Sequence, residues 1–340
     1  MKKSILLVFS LFANIALAQT NLQVKIDSFL LLNQPRAFNG VVLVSQNGKT
    51  LYQNALGLAK SKNNELLKPN NKFVLLSNSK QITAVLVLRE VDKGNIDLQK
   101  NIRTYLPNFP QKWADSVTIH QLLNHTSGIG NFEKQLATKP GTTFKYTDFN
   151  YILLGKIVEA VTKKTYESNV NELFKSSSMN NSGYPNPSFQ NDLVSGFHYS
   201  ENKEEVSKYI IPKDRIPAAG LISTVADLAI WNEKLHGGKL LKPETYEKMI
   251  SYNILSQHSV FGEKAIGYGY GIRINDVSEP TEFGHTGIVP EQGFTSINLY
   301  YPKTKTSIIV LENQCFEDMS ISYFFEAGVR KIVMESGILK

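Results

Sequence analysis

Ser77-Asn-Ser-Lys80 sets a hydroxyl and an amine three residues apart, at the start of an apolar run, Gln81-Ile-Thr-Ala-Val-Leu-Val-Leu88. The run reads as a buried helix, and residues three apart on a helix share a face, about one turn apart. Ser77 then falls in the first turn, where unpaired N–H groups and the helix dipole favour negative charge. A lysine that has lost its proton there can take the hydroxyl proton and turn the serine into a nucleophile. Ser-x-x-Lys is a signature of serine acyl transfer; its bland alternative is a helix cap beside a solvated lysine. Ser200-Glu-Asn-Lys203 has the same spacing, but no apolar helix follows it. Context selects Ser77.

Two further stretches bear on the same chemistry. Tyr146-Thr-Asp148 directly precedes a second helical pattern, and His285-Thr-Gly287 follows Glu282-Phe-Gly in a short extended segment. Each has a structural alternative. A lone tyrosine is by default a half-buried aromatic with its hydroxyl on a backbone group, and a lone histidine is a satisfied structural one. Asp148 also reads as the N-cap of the following helix.

The elements that must position these residues are legible in outline. Gly40 to Gly57 reads as a hairpin turning at Asn47-Gly48. Helical patterns run from Ser77 to Lys93, Thr118 to His125, Asp148 to Val161, Thr165 to Phe174, Thr224 to Leu235 (with a Thr224/Asp227 capping box) and Lys242 to Ile250. From Gly267 the period becomes strand-like: Tyr268 to Ile274, Thr295 to Tyr301 and Ser307 to Glu312, with a final helix from Phe316 to Glu335. Strands at both ends and helices between predict a two-lobed α+β fold. One antiparallel sheet draws on both ends, about 19–76 and 256–340, and a mostly helical lobe covers about 77–255. A cleft between the lobes is where a ligand site is expected.

With its three motifs in this order, the chain resembles the serine β-lactamase-like family: class C β-lactamases, DD-peptidases, D-aminopeptidases and related esterases. The family elements are Ser-x-x-Lys, Tyr-x-Asn and Lys/His-Thr-Gly. Leu122-Leu-Asn-His-Thr-Ser-Gly128, Tyr151-Ile-Leu-Leu-Gly155 and Pro217-Ala-Ala-Gly-Leu-Ile-Ser-Thr-Val-Ala-Asp227 add to the likeness, which extends from about Phe38 to Asn313. The resemblance implies a β-lactamase/transpeptidase-like fold. Ser77 would be the acyl-accepting nucleophile, and Lys80 and Tyr146 would move its proton to the leaving group. The backbone N–H groups of Ser77 and Ile288 would form an oxyanion hole. His285 and Thr286 of His285-Thr-Gly287 would line the substrate side and bind a carboxylate.

Two positions depart from the pattern. Asp148 stands where the family usually has asparagine, and an ionised carboxylate accepts hydrogen bonds but cannot donate them. His285 replaces the lysine typical of class C β-lactamases and is the weaker cation at neutral pH. Both point toward hydrolysis of D-amino-acid-containing peptides, such as cell-wall fragments, or of small esters. A true β-lactamase is the nearest alternative, and a non-catalytic wall-binding or scaffold protein the one from another class.

Composition bounds the rest. The chain has 340 residues, enough for one large domain or two lobes. Lys2 and Lys3, the apolar stretch Ile5 to Leu17 and Ala16-Leu17-Ala18 read as a secretory signal cleaved after Ala18. That predicts a periplasmic or secreted protein without a stable membrane anchor. Losing the two signal lysines takes the net charge from +7 to +5, too diffuse for a nucleic-acid footprint. Cys315, the one cysteine, reads as core packing at a strand end. Gly267-Tyr-Gly-Tyr-Gly271 does not open a helix as a dinucleotide loop must, and no zinc-protease, CxxC or P-loop motif occurs. No metal or cofactor is expected. His125 is read as shaping its turn.

Overall fold

The computed structural model describes residues 20–190, 193–199, 203–206, 211–256, 261, 265–277 and 279–340. The expected signal segment and Ser200 lie outside them. Seven of the described strands form one antiparallel sheet: β1 (Gly40–Gln46), β2 (Lys49–Leu56), β3 (Gly267–Tyr268), β4 (Arg273–Asn275), β5 (Glu282–Val289), β6 (Phe294–Tyr301) and β7 (Thr306–Glu312). Their order across the sheet is β2-β1-β7-β6-β5-β4-β3. β1 and β2 turn through Asn47 (φ +49°) and Gly48 (φ +76°), the two positive-φ residues that a tight hairpin needs. β1 then pairs with β7, from Gly40 opposite Glu312 to Gln46 opposite Thr306.

Side-chain alternation along these strands divides the interior in two. Val41, Leu43, Ile309 and Leu311 face one core, and Val42, Val44, Ile308 and Val310 the other. The second core is closed by helix α1 (residues 20–30) and by the last long helix. Leu22, Ile26 and Leu30 form the apolar stripe of α1. The first core is filled by α2 (Ser79–Asp92), α3 (Asp148–Thr162) and α4 (Val225–His236). Ser79 to Leu88 of α2 are all buried, and the polar Ser79, Lys80, Gln81 and Thr83 among them find hydrogen-bond partners inside. The C-terminal helix is α5 (Phe324–Glu335).

Four expectations need correction. Tyr268 to Ile274 is not one strand: Gly269 N–H bonds Ile272 O at 2.9 Å, and the chain doubles back so that β3 pairs with β4. Gly271 supplies the turn (φ +68°), and a Cβ there would lie 2.7 Å from the Lys80 carbonyl oxygen. Phe316 to Glu335 is not one helix either. A strand (Gln314–Phe316) and a short helix (Met319–Ser322) come before α5. The Arg36 guanidinium binds the carbonyls of Ile321 and Ser322, each at 2.8 Å, and holds them out of a continuous ladder. The N-cap of α3 is Thr147, whose hydroxyl accepts from Phe149 N–H at 3.3 Å, and not Asp148. At α4 the Thr224 hydroxyl accepts from Asp227 N–H, but the Asp227 carboxylate turns away to Asn181 N–H and Ser182 Oγ–H.

Candidate active site

Ser77 sits in a single 3₁₀ turn, Leu76–Asn78, that feeds directly into α2. Leu76 takes φ +52°, a left-handed conformation that costs a bulky residue energy unless its surroundings enforce it. Those surroundings are present. Leu75 N–H bonds Leu221 O at 2.8 Å, and Leu221 N–H bonds Ser79 Oγ at 3.1 Å. From the sheet, Ser296 Oγ donates to Leu75 O and accepts from Asn78 Nδ2, both at 2.9 Å. The turn is thus held between α2, the Ala219–Leu221 backbone and β6.

β5 passes alongside. Its pairing with β4 ends at Gly284, and beyond that point it packs against the Ser77 turn. The approach requires glycine: a Cβ on Gly287 would lie 2.6 Å from Leu76 Cβ and 2.9 Å from Ser77 N. The next residue, Ile288, follows on the same strand edge and is half-buried.

Lys80 is fully buried, and its Nζ meets three acceptors: Asp148 Oδ1 at 2.8 Å, Ala218 O at 2.9 Å and Ser77 Oγ at 3.1 Å. An ammonium has three N–H donors, so the three acceptors match a protonated lysine. Burial pulls the Lys80 pKa down, but the phenol of Tyr146 and the carboxylate of Asp148 outweigh it, and the net direction is up. Asp148 responds in kind. The Lys80 charge, helped by Arg215, overrides burial and holds the carboxyl below the usual range. Arg215, exposed at the end of the turn Lys213–Arg215, places Nη2 3.4 Å from Asp148 Oδ2. Tyr146 closes the group, with its ring centroid 4.8 Å from Lys80 Nζ.

Behind Tyr146 lies an aromatic and imidazole stack. The His125 ring is 4.4 Å from that of Tyr146 and the His285 ring 6.1 Å from it. His285 has both nitrogens engaged, Nδ1 on Thr286 O at 2.6 Å and Nε2 against Tyr268 Oη at 3.0 Å. The carbonyl only accepts, so Nδ1 carries a proton, while Nε2 faces a phenol oxygen that can donate or accept. Burial, with the Arg273 and Lys80 charges, pushes its pKa well below the ordinary histidine value. His285 is fully buried with both nitrogens engaged inside the protein, so neither is presented to a substrate carboxylate in this arrangement. Thr286 alternates to the other side of β5, where it lines a small recess with Arg273, Asn275, Glu282 and Gly284. Ser77, Lys80, Tyr146 and Asp148 converge, Gly287 and Ile288 flank them, His285 supports the aromatic layer, and Thr286 lies apart.

Four contributors escaped the sequence reading. His125 does adopt a turn conformation (φ +59°), but its ring also supports Tyr146. A chain fixes it: Ser127 Oγ–H donates to Asn150 Oδ1 at 2.6 Å, and Asn150 Nδ2 contacts His125 Nδ1 at 3.1 Å. Tyr268 orients His285, the Ala218 carbonyl takes one Lys80 proton, and Arg215 reaches Asp148. The Asn-His-Thr-Ser-Gly stretch was the available signal for the first, and local sequence held none for the others. Among the described residues no cluster of three or more His, Cys, Asp or Glu could hold a metal ion.

A family model described as Beta-lactamase matches residues 31–320. PbpX of Bacillus subtilis (strain 168), a candidate penicillin-binding protein by name, is 26% identical over 307 residues, covering 85% of this chain and 73% of that protein. Protein flp of Staphylococcus aureus (strain N315) is 26% identical over 301 residues, covering 80% of this chain and 59% of its own length, so the chain spans less than two thirds of that relative. Among solved structures, D-amino acid amidase from Ochrobactrum anthropi SV3 complexed with D-phenylalanine superimposes with a TM-score of 0.80 at 18% identity. That alignment covers 94% of this chain and 99% of the amidase, and the likeness is one of fold.

Proposed function

The chain belongs to the beta-lactamase family, and from that premise we propose that it is a serine hydrolase working through an acyl-enzyme on Ser77. The observation that carries the reading is the Ser77 Oγ–Lys80 Nζ contact of 3.1 Å, made by a wholly buried lysine against a half-buried serine. In the reaction Ser77 Oγ bonds to the substrate carbonyl carbon, and its proton passes into the Lys80–Tyr146 pair. The tetrahedral oxyanion is held by N–H groups of Ser77 and Ile288; one such donor typically contributes about 3 kcal/mol. Collapse breaks the bond to the leaving nitrogen or oxygen, which takes the proton from the pair. Water then attacks the ester carbonyl and gives a proton to the same pair; collapse breaks the Ser77 Oγ–carbon bond, the pair returns the proton to Oγ, and the acid is released.

Lys80 fills all its donors in this site, so it must surrender a proton before it can receive one from Ser77. The substrate class we propose is peptides and amides of D-amino acids, or small esters. A D-amino acid amidase of the same fold and a penicillin-binding relative by name support this class. A true β-lactamase is the second reading, and a chromogenic cephalosporin separates the two by rapid multiple turnover. The leader-like residues 1–18 support export, and among the described residues no helix is long and apolar enough to cross a membrane.

The deciding experiment is intact-mass analysis of the protein and of Ser77→Ala after exposure to a fluorophosphonate and to penicillin. One Ser77-dependent adduct and loss of hydrolysis in the variant, with an unchanged circular dichroism spectrum, are expected. A non-catalytic scaffold would give no adduct with either reagent, and hydrolysis surviving in Ser77→Ala would remove the assignment.

A further inference from the structure

Within the hydrolase reading just given, we infer that Arg215 is the side chain that receives a substrate carboxylate. Among the described residues, the other groups expected for the role are engaged or face away, and Arg273 lines the recess on the far face of β5. His285 is fully buried and committed on both nitrogens. Thr286 points into the recess on the far face of β5. Lys80 has no donor to spare after Asp148, Ala218 and Ser77.

Arg215 is differently placed. Three contacts connect it to the nucleophile: Ser77 to Lys80 at 3.1 Å, Lys80 to Asp148 at 2.8 Å, and Asp148 to Arg215 at 3.4 Å. Its side chain is 54% exposed, and the contact to Asp148 is long for a charge-assisted bond. A guanidinium has five N–H donors in a planar fork that matches a carboxylate bidentately. Asp148 therefore meets the fork of Arg215 at Nη2, on a side chain that is otherwise more than half exposed. Charge agrees. Lys80 and Arg215 outweigh Asp148 by one, and Lys213 and Asp214 on the same turn cancel. Counted over these described residues, a net positive group with an exposed guanidinium suits a monoanionic ester or peptide better than a neutral one.

The test compares esters differing only in a free carboxylate. The probes are 3-carboxyphenyl acetate, with the charge on the leaving group, and phenyl hydrogen adipate, with the charge on the acyl group. Each is assayed beside its neutral methyl ester, with the wild type, Arg215→Gln and Arg215→Lys. The wild type is expected to prefer at least one acid over its methyl ester by about tenfold in kcat/KM. Arg215→Gln should erase that preference, lowering kcat/KM of the acid toward that of its methyl ester measured in the same variant, and Arg215→Lys should restore part of it. No preference in the wild type, or a preference that survives in Arg215→Gln, overturns the assignment. Fluorophosphonate labelling of Ser77 in the same samples reports on the hydrolase reading alone. Absent labelling removes that reading, whereas labelling without an Arg215-dependent preference removes only the anion site.

Discussion

A single atom pair, Lys80 Nζ and Asp148 Oδ1 at 2.8 Å, decides the resting protonation of the site. An asparagine at 148 would keep the shape and lose the charge. Asp148→Asn removes one of the groups that raise the Lys80 pKa, so burial gains weight and the pKa falls. The activity that rises as Lys80 gives up its proton should then appear at lower pH, with the alkaline-going limb of kcat/KM displaced by about one unit. A profile identical to wild type would contradict the ion pair's role. In stability the sign also follows. The pair contributes while Asp148 is ionised and Lys80 protonated; it is lost as pH falls through the depressed Asp148 pKa or rises through the elevated Lys80 pKa. At this scale the sequence was readable where chemistry is local. Ser77 and Lys80 are three residues apart, and a 3₁₀ turn running straight into α2 brings them together. The low His285 pKa was not readable, because it comes from burial and then from the Arg273 and Lys80 charges that the fold brings near.

Among the elements, the Ser77 turn and β5 form one unit. Gly287→Ala would drive a methyl group to within 2.6 Å of both Leu76 Cβ and Ser296 Oγ. β5 must then retreat from a turn already held at positive φ, and the N–H groups proposed for the oxyanion separate. Hydrolysis should fall by 100-fold or more, on the scale of losing one oxyanion donor, with a modest loss of melting temperature; steady-state kinetics beside thermal denaturation reads both. Near-wild-type activity in this variant would mean that β5 has slack. Long periodic elements were visible in advance, since α2, α3, β6 and β7 carry their patterns over seven or more residues. The short ones were not. The β3–β4 reversal depends on Gly271 meeting the Lys80 carbonyl, and the break before α5 depends on Arg36, some 285 residues away in sequence.

The whole molecule is tied by that same arginine. Arg36 pairs with Glu312 at 2.7 Å and lies 3.5 Å from Glu326, joining the N-terminal segment, β7 and α5 in a dry cluster. Arg36→Met should cost about 3–5 kcal/mol in urea unfolding, because Glu312 is left buried without its cation, and adding Glu312→Gln should recover part of it. Acid should weaken the fold as well. Burial holds His125 and His285 far below 6.5, and desolvation holds His236 at about 3. The unfolded chain takes up these protons first, so stability falls below pH 6.5 by up to about 1.4 kcal/mol per pH unit for each histidine. Glu326, which burial and then Glu312 keep protonated, works the other way above pH 4.5. A urea midpoint unchanged between pH 7 and pH 5 would contradict this balance. The sheet order carries one more consequence, and it concerns time. β1 lies between β2 and β7, and Gln46 meets Thr306 across 260 residues. At about 5–20 residues per second of synthesis, a finished hairpin waits roughly 13–50 s for the strand that covers its inner edge. Through that interval Val41 to Val44 offer an open pairing edge to any neighbouring chain. Such a polypeptide has reason to be kept unfolded by a chaperone until its last hundred residues exist.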